Sequence, residues 1–277
     1  MNKQGLTLVN SATRVLALLG MLLFSLLCMN AASACTIANW TGGNSGLTDA
    51  NAKQPTAGKR YAGKCGLEVP VDATARYVAD GNPTNETRQI SRFYVFLNNL
   101  TIANGSKVTV YRLLNAGNTS VLDAEIRGVS GQKQLFLVSG AVTSTGTTLA
   151  NGWHAIELDR NGAVTTLKVD GTAKPGIAAG GVTGGIETAR LGAIAKTGAA
   201  PSGLIYFDAY VANRTTAPGL LLAGDANNDG NVNSGDNIGV LNEFLGGVIA
   251  SGTPDCNADG NVNSGDIVCI INKILGP

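Results

Sequence analysis

Short runs of alternating apolar and polar residues, separated by turn residues, fill the chain from about residue 35 to residue 214. In Trp153–Asp159, for example, Ile156 and Leu158 fall on one side of an extended strand. Turn-forming pairs such as Asn161-Gly162 and Asp170-Gly171 separate neighbouring runs. The pattern predicts strands over Phe93–Leu97, Lys107–Leu114, Val121–Arg127, Gln134–Val138, Trp153–Asp159, Thr165–Val169 and Leu204–Val211.

Many short strands, frequent turns and no helical periodicity predict a mainly β region built as an antiparallel β-sandwich of jelly-roll type. The composition agrees, since the 277 residues include 37 glycines and are 14% charged. The net charge is +1 and the basic residues are scattered, so no nucleic-acid partner is predicted.

The N-terminus has the pattern of a secretory signal over residues 1–34. Lys3 and Arg14 supply basic charge, Val15–Leu27 is apolar, and Ala32-Ser33-Ala34 offers small residues for cleavage. The apolar run is shorter than the roughly 20 residues that span a bilayer, which weighs against the alternative of a permanent anchor. The predicted location is therefore secreted or at the cell surface.

Four cysteines follow the predicted signal, an even set that suits disulfides in an exported protein. The simplest pairing joins Cys35 to Cys65 and Cys256 to Cys269. Four cysteines allow three connectivities, so this pairing is a preference. Cleavage after Ala34 would place Cys35 first, which leaves a lipoprotein as the alternative.

A different pattern occupies the C-terminal region. The run Asp-Gly-Asn-Val-Asn-Ser-Gly-Asp occurs at 229–236 and again at 259–266. Each copy completes a 12-residue loop with oxygen-bearing side chains at positions 1, 3, 5, 9 and 12 and glycine at position 6, which is the donor spacing that Ca²⁺ needs. Position 7 contributes its carbonyl. The predicted ligands of two Ca²⁺ ions are Asp225, Asn227, Asp229, Asn231, Asn233 and Asp236, and Asp255, Asn257, Asp259, Asn261, Asn263 and Asp266.

An ordinary surface turn rich in Asn, Asp and Gly does not explain this spacing. Of the seven acidic residues after Gly224, six occupy ligand positions and Glu243 alone does not. Val232 and Val262, at position 8 of each loop, are predicted to face each other and join the two loops.

The region resembles a type I dockerin. Position 12 is Asp, no entering helix precedes each loop, and Asp266–Gly276 has the apolar spacing of the exiting helix. The resemblance implies a small calcium-dependent module over 224–277 that docks onto a cohesin-like protein. Positions 10 and 11 are Ser234-Gly235 and Ser264-Gly265, where Ser followed by Ser or Thr is commoner in the family. Docking of the module onto its own β-sandwich is therefore kept as an alternative.

The strand-rich region resembles the concanavalin A-like, LamG-type jelly roll. The resemblance rests on Gly152–Gly171, Ala189–Ala193 and Gly203–Arg214. It implies a domain over 35–217 that binds a polysaccharide, a cell-surface glycan or a protein. Residues 218–223, which begin with the Pro-Gly pair at Pro218, are predicted as a linker.

Candidate catalytic groups are few, and no catalytic residue is predicted. His154 is the single histidine, and its place on the face of Ile156 predicts a packed side chain. Concanavalin-like glucanases carry Glu-x-Asp-x-x-Glu on one strand, and here Glu157 and Asp159 match but Gly162 replaces the final acid.

Sugar binding by stacking would need exposed aromatic rings, and aromatic residues are 5% of the chain. The candidates are Trp40, Trp153, Tyr206 and Tyr210. The sequence thus predicts an exported, calcium-binding modular protein with a glycan- or protein-binding sandwich. A polysaccharide-degrading glycosyl hydrolase, or its accessory subunit, is the alternative.

Overall fold

The computed structural model describes residues 35–199 and 201–276, so the predicted signal over 1–34 lies outside the described residues. In this described part of the chain, sixteen strands form two antiparallel eight-stranded sheets. The first sheet contains β1 (Asn44–Ser45), β4 (Arg76–Asp80), β7 (Lys107–Leu114), β8 (Ser120–Val129), β9 (Gln132–Ser139), β10 (Val142–Thr143), β11 (Thr147–Leu149) and β15 (Thr188–Thr197). The second contains β2 (Ala52–Lys53), β3 (Gly66–Val71), β5 (Arg88–Phe96), β6 (Leu100–Thr101), β12 (Trp153–Asn161), β13 (Val164–Val169), β14 (Thr172–Ile177) and β16 (Ser202–Asn213).

The strand order is β1-β4-β15-β7-β8-β9-β10 in the first sheet, with β11 on β9. It is β14-β13-β12-β5-β16-β3-β2 in the second, with β6 on β16. The two sheets enclose one hydrophobic core to which both contribute, and the fully buried Phe93, Tyr111 and Phe207 lie within it. The mainly β sandwich that the sequence predicts is confirmed.

Alternation of side chains explains how each strand joins this core. In β13, Thr165, Leu167 and Val169 are buried and the residues between them are exposed. The chain then turns through Asp170-Gly171, where both φ angles are positive (51° and 75°), and continues directly into β14. Positive φ at both central residues is the geometry of a two-residue hairpin turn.

Every predicted strand segment lies in a strand except at Leu97, which follows the end of β5, and β7 has the predicted bounds. The structure also contains strands of five or six residues that the pattern did not single out, notably β3, β4 and β14. Two of them carry proline, at Pro70 and Pro175, and β14 is an exposed edge strand with little alternation. Proline and an exposed edge both weaken the sequence signal of a strand.

The C-terminal region adds two helices, α1 (Ser234–Phe244) and α2 (Ser264–Leu275), which pack against each other. Their shared core contains the buried Ala226, Val240 and Ile270, with Val232 and Val262 packed against it. A Cβ on Gly239 would lie 3.2 Å from the Ala226 methyl group, so the glycine allows α1 to approach the first loop. Neither helix is long and apolar enough to cross a membrane, and the same holds throughout the described residues.

The outer face of the second sheet carries a buried aromatic cluster, which we define as Tyr61, Tyr94, Phe96, Trp153 and Tyr206. Trp153, Phe96 and Tyr206 are side by side on β12, β5 and β16. Their exposed fractions are 4%, 3% and 6%, although an outer sheet face normally meets solvent. The C-terminal region packs on this cluster through Ala258. The two parts of the chain are therefore joined through this face.

Candidate calcium centres

The two loops are wrapped by the same hydrogen bonds. Asp225 accepts from the amides of Asp229 and Gly230 at 3.0 and 2.9 Å. Asp255 accepts from the amides of Asp259 and Gly260 at 3.1 and 2.8 Å. The first carboxylate of each loop is thus turned into the loop, and a glycine with φ of 86° at position 6 makes the bend in both.

The last carboxylate closes each loop. Asp236 accepts from the amides of Asn227 and Asn233, and Asp266 accepts from those of Asn257 and Asn263. Asn233 and Asn263 also cap the helices that follow, since each side chain accepts from the amide two residues on. The twelve predicted ligands therefore belong to two closed loops that run into α1 and α2, with Asp236 and Asp266 in the first turn of each helix.

The charges in these loops fit a cation. Four carboxylates are buried, with exposed fractions of 5% for Asp225, 1% for Asp255 and 0% for Asp236 and Asp266. Burial first, and then the charges of Asp266 and Asp259, raise the pKa of Asp255 to about 7. Buried carboxylates need a compensating positive charge, and within the described residues their recorded hydrogen-bond donors are backbone amides. The oxygen-rich donor set is the type that Ca²⁺ prefers.

The donors mix carboxylates with asparagine amides. Within residues 35–199 and 201–276, no three His, Cys, Asp or Glu side chains converge into a metal site by themselves. A bound ion would therefore depend on the asparagine and carbonyl oxygens of each loop as well as on its carboxylates.

Both predicted disulfides are present in the structure. Cys35 joins Cys65, with 5.7 Å between their Cα atoms, and Cys256 joins Cys269, with 5.9 Å. The second bond links position 2 of the second loop to α2. A sulfur in a disulfide cannot carry a lipid thioether, so the Cys35–Cys65 bond disfavours the lipoprotein alternative.

The carboxylates that resemble a glucanase motif form ion pairs. Glu157 accepts from Lys168 Nζ at 3.0 Å and from the Gly219 amide at 2.9 Å. Asp159 receives two hydrogen bonds from Arg88, at 2.9 and 2.7 Å. Both side chains therefore have structural partners on neighbouring strands or in the predicted linker.

His154 also has two fixed partners. Its Nδ1 lies 2.8 Å from Asp170 Oδ2 and its Nε2 lies 3.0 Å from the Ala150 carbonyl. Burial lowers the pKa of His154, but the bonds to Asp170 and Ala150 outweigh it and the net shift is upward. Both partners only accept, so the imidazolium form satisfies both contacts. A general base needs a free ring nitrogen, which this arrangement does not provide.

The four aromatic residues that were candidates for sugar stacking lie at two separate places on the sandwich. Trp153 and Tyr206 belong to the aromatic cluster beneath the C-terminal region. Trp40 and Tyr210, whose ring centres are 5.0 Å apart, line a cleft of about 490 Å³ elsewhere on the sandwich. Tyr210 donates to Asp80 Oδ2 at 3.2 Å in this cleft.

Sequence reasoning missed the residues that join the two parts of the chain. Lys59 Nζ donates to Asn261 Oδ1 at 2.7 Å, Arg60 forms a buried ion pair with Glu243, and the Gly63 amide donates to the Gly252 carbonyl at 2.9 Å. The sequence offered one signal of this contact, because Glu243 is the one acidic residue after Gly224 that occupies no ligand position.

Paired calcium loops of this form, each followed by one helix, define a class of small calcium-dependent modules. Residues 223–275 match the family model described as the dockerin type I domain. The C-terminal region is therefore a type I dockerin module, and dockerins are calcium-binding domains. No curated protein matches the chain in sequence.

Solved structures that are similar to this chain cover just over half of it at low identity. The cellulose induced protein Cip1 is 12% identical over 57% of this chain and 83% of that chain, with a TM-score of 0.44. An alginate lyase from Pseudomonas aeruginosa is 10% identical over 55% and 82%, with a TM-score of 0.37. The receptor binding domain of botulinum neurotoxin type G is 10% identical over 55% and 39%, with a TM-score of 0.38.

The raised pKa of His154 predicts a pH-dependent stability. Its stabilising contribution is complete below the unfolded pKa of about 6.5 and is lost as pH rises through the higher folded value. We expect the wild-type chain to lose more unfolding free energy than His154→Gln between about pH 6 and about pH 9. Urea unfolding in excess calcium measures this, and identical pH dependences in the two proteins would contradict the assignment.

Proposed function

We propose that the chain is an exported modular protein whose dockerin module binds two Ca²⁺ ions and attaches the β-sandwich to a partner. The observation that carries the proposal is the pair of identically wrapped loops, each leading into a helix with an exposed apolar side. Two disulfides support export, because such bonds persist in oxidising compartments.

The proposed ligands are the twelve loop residues named above. Asp225, Asp229 and Asp236 would hold the first ion together with the asparagine oxygens of that loop, and the matching residues of the second loop would hold the other. Calcium would neutralise the crowded carboxylates and so stabilise both loops. The ions have a structural role in this proposal.

Removing one closing carboxylate should remove one site. We expect isothermal titration of the calcium-stripped full chain to give two ions per chain, and one ion for Asp236→Asn. Calcium should also raise the melting temperature of the wild-type chain, because an ion that binds the folded state stabilises it. Asp72→Asn, an exposed acid outside the loops, is the control and should keep two sites. A wild-type chain that binds no calcium would refute the proposal.

The surface for attachment is the apolar stripe, which we define as the exposed apolar residues that recur on both helices. On α1, Ile238, Leu241 and Phe244 are 61%, 42% and 51% exposed. Thirty residues later on α2, Val268, Ile271 and Ile274 are 57%, 41% and 43% exposed. Several exposed apolar side chains at helical spacing on a small module indicate a protein-binding surface. We propose a cohesin-like domain as the partner, since the module is a type I dockerin.

A charge placed on this stripe should block attachment and leave the fold intact. We expect the double variant Leu241→Asp/Ile271→Asp to bind a purified type I cohesin domain at least about tenfold more weakly than wild type, because apolar contact is lost. Surface plasmon resonance with the full chain, with calcium or with a chelator, measures this. Val164→Asp, an equally exposed apolar site on the sandwich, is the control.

Wild-type binding that is unaffected by the double variant would reject the stripe as the attachment surface. A chain that binds two calcium ions but no cohesin domain would reject the proposed partner and leave the calcium sites standing.

The cleft at Trp40 supports a second function, binding of a glycan by the sandwich. Its volume is in the range typical of small-ligand sites, roughly 300–1,000 Å³. Trp40 is half-buried, and Asp80 and Asn82 provide polar groups beside it. An aromatic ring next to carboxylate and amide groups suits a sugar ring, which has an apolar face and polar edges.

Loss of the indole should weaken glycan binding. We expect Trp40→Ala to reduce the retention of the full chain on a panel of immobilised polysaccharides by at least about tenfold, equivalent to about 1.4 kcal/mol of lost contact. Phe136→Ala, a half-buried aromatic on the sandwich outside the cleft, is the control. Equal retention of the two variants, or a wild-type chain that no polysaccharide retains, would refute glycan binding at this cleft.

A further inference from the structure

The two calcium loops share a sequence run but have different surroundings. At position 4, Asn228 of the first loop is exposed, whereas Ala258 of the second is half-buried against the aromatic cluster. At position 6, Gly230 is exposed and Gly260 is buried. Within the described residues, the hydrogen bonds from the sandwich to the loops reach the second loop and none reaches the first.

The contacts of the second loop are close and specific. The Trp153 amide, at the start of β12, donates to the Ala258 carbonyl at 2.8 Å. A Cβ on Gly152 would lie 2.6 Å from that same carbonyl oxygen. A Cβ on Gly260 would lie 2.4 Å from the Phe96 ring, whereas one on Gly230 would meet nothing within 4 Å. Glycine at 260 thus serves the contact with the sandwich as well as the loop bend.

Ala258 stands where the first repeat has Asn228, and this difference suits the contact of the second loop with the sandwich. Asn228 and Ala258 both have positive φ, 63° and 59°, a region that asparagine tolerates better than alanine. Alanine places a methyl group on the aromatic cluster, where an asparagine amide would lose part of its contact with water. The local backbone preference of this position is therefore overridden by packing against the sandwich.

A sandwich segment, residues 59–63, receives the module, and we call it the receiving segment. Asp208 holds it in place by accepting from the amides of Tyr61 and Ala62 at 2.6 and 2.8 Å. Lys59 donates to the Gly260 carbonyl and to Asn261 Oδ1 of the second loop. The contact is therefore made by positioned groups on both sides.

Glu243 of α1 completes the contact. It pairs with Arg60 of the receiving segment, and the two side chains are 8% and 1% exposed. The corresponding residue of the second repeat, Lys273, is exposed and donates to the Ala223 carbonyl. The module thus differs between its repeats, at Ala258 and Glu243, where it touches the sandwich.

We propose that the second calcium loop is an intramolecular docking element, and that calcium binding at this loop and docking onto the aromatic cluster stabilise each other. The inference rests on the proposed calcium sites. Docking requires the wrapped loop, because the Ala258 carbonyl and the Gly260 backbone meet the sandwich only in that shape. Calcium favours the wrapped loop. By linkage, each event must strengthen the other by the same factor.

The linkage predicts that weakening the docking lowers the calcium affinity of one loop only. The second loop should bind more tightly in the docked chain than in a chain whose docking is weakened, and the first loop should not change. Calcium should also protect the amides at the contact from hydrogen exchange. The useful reporters are the amides of Trp153 and Gly63, which donate across the contact, and that of Ser144, which donates to Leu137 within the sandwich.

The test measures amide exchange by NMR in the full chain, with calcium and with a chelator. We expect the Trp153 and Gly63 amides to exchange at least about tenfold faster without calcium, and Ser144 to remain unchanged. Equal protection of Trp153 in the two conditions, in a chain shown by titration to bind both ions, would overturn the linkage. A chain that binds no calcium would instead refute the proposed sites.

Glu243→Gln tests the reverse direction. It leaves all twelve proposed ligands intact but leaves Arg60 buried without its charged partner. We expect the calcium affinity of the second loop to fall about tenfold and that of the first to stay as in wild type. Lys273→Gln, at the matching position of α2, is the control. A fall at both loops, or at neither, would overturn the proposal. Lys59 is left unchanged because its charge could act on calcium directly.

A second pair of variants applies if Glu243→Gln does not fold. Gly230→Ala and Gly260→Ala introduce the same backbone strain, since both residues have φ of 86°. Each should weaken its own loop, but Gly260→Ala also places a methyl group into the Phe96 ring. We expect faster exchange of the Trp153 amide in calcium for Gly260→Ala than for Gly230→Ala. Equal exchange in the two variants would overturn the proposal.

Discussion

The packing of the second calcium loop on the aromatic face of the second sheet is the interaction on which the arrangement of this protein depends. An outer sheet face with Phe96, Trp153 and Tyr206 in one row would expose a large apolar area if nothing covered it. Burying an aromatic side chain of this size contributes about 1.5–3 kcal/mol relative to leaving it exposed. The aromatic face therefore depends on the module for its burial from water.

Directional contacts define how the module sits on that face. The Trp153 amide and the Arg60 guanidinium each have one partner in the module, Ala258 and Glu243, and the Arg60 and Glu243 side chains are buried. A buried ion pair contributes little net energy compared with apolar packing, but removing one partner costs about 3–5 kcal/mol. The aromatic cluster thus supplies the favourable energy, and the polar contacts select one orientation.

This orientation divides the surface of the module by function. The second loop faces the sandwich, while the apolar stripe of α1 and α2 remains exposed. A chain with this arrangement can hold its module rigidly and still offer a binding surface to another protein. Ala209 lines the cleft at Trp40 and also packs on the aromatic cluster, but the stripe residues of α1 and α2 do not line the cleft. The proposed glycan and attachment functions therefore use different surfaces.

The sequence alone determined the features that depend on local chemistry. Alternating residues predicted the strands of the sandwich because side chains of a strand point to opposite faces. The repeated Asp, Asn and Gly positions predicted two wrapped loops because ligand spacing and a glycine bend are properties of twelve consecutive residues. Tertiary structure alone decided which aromatic residues are covered, that Glu157 and Asp159 are ion-paired, and that Glu243 meets Arg60. Those outcomes join residues up to about two hundred positions apart, and no local pattern encodes such a contact.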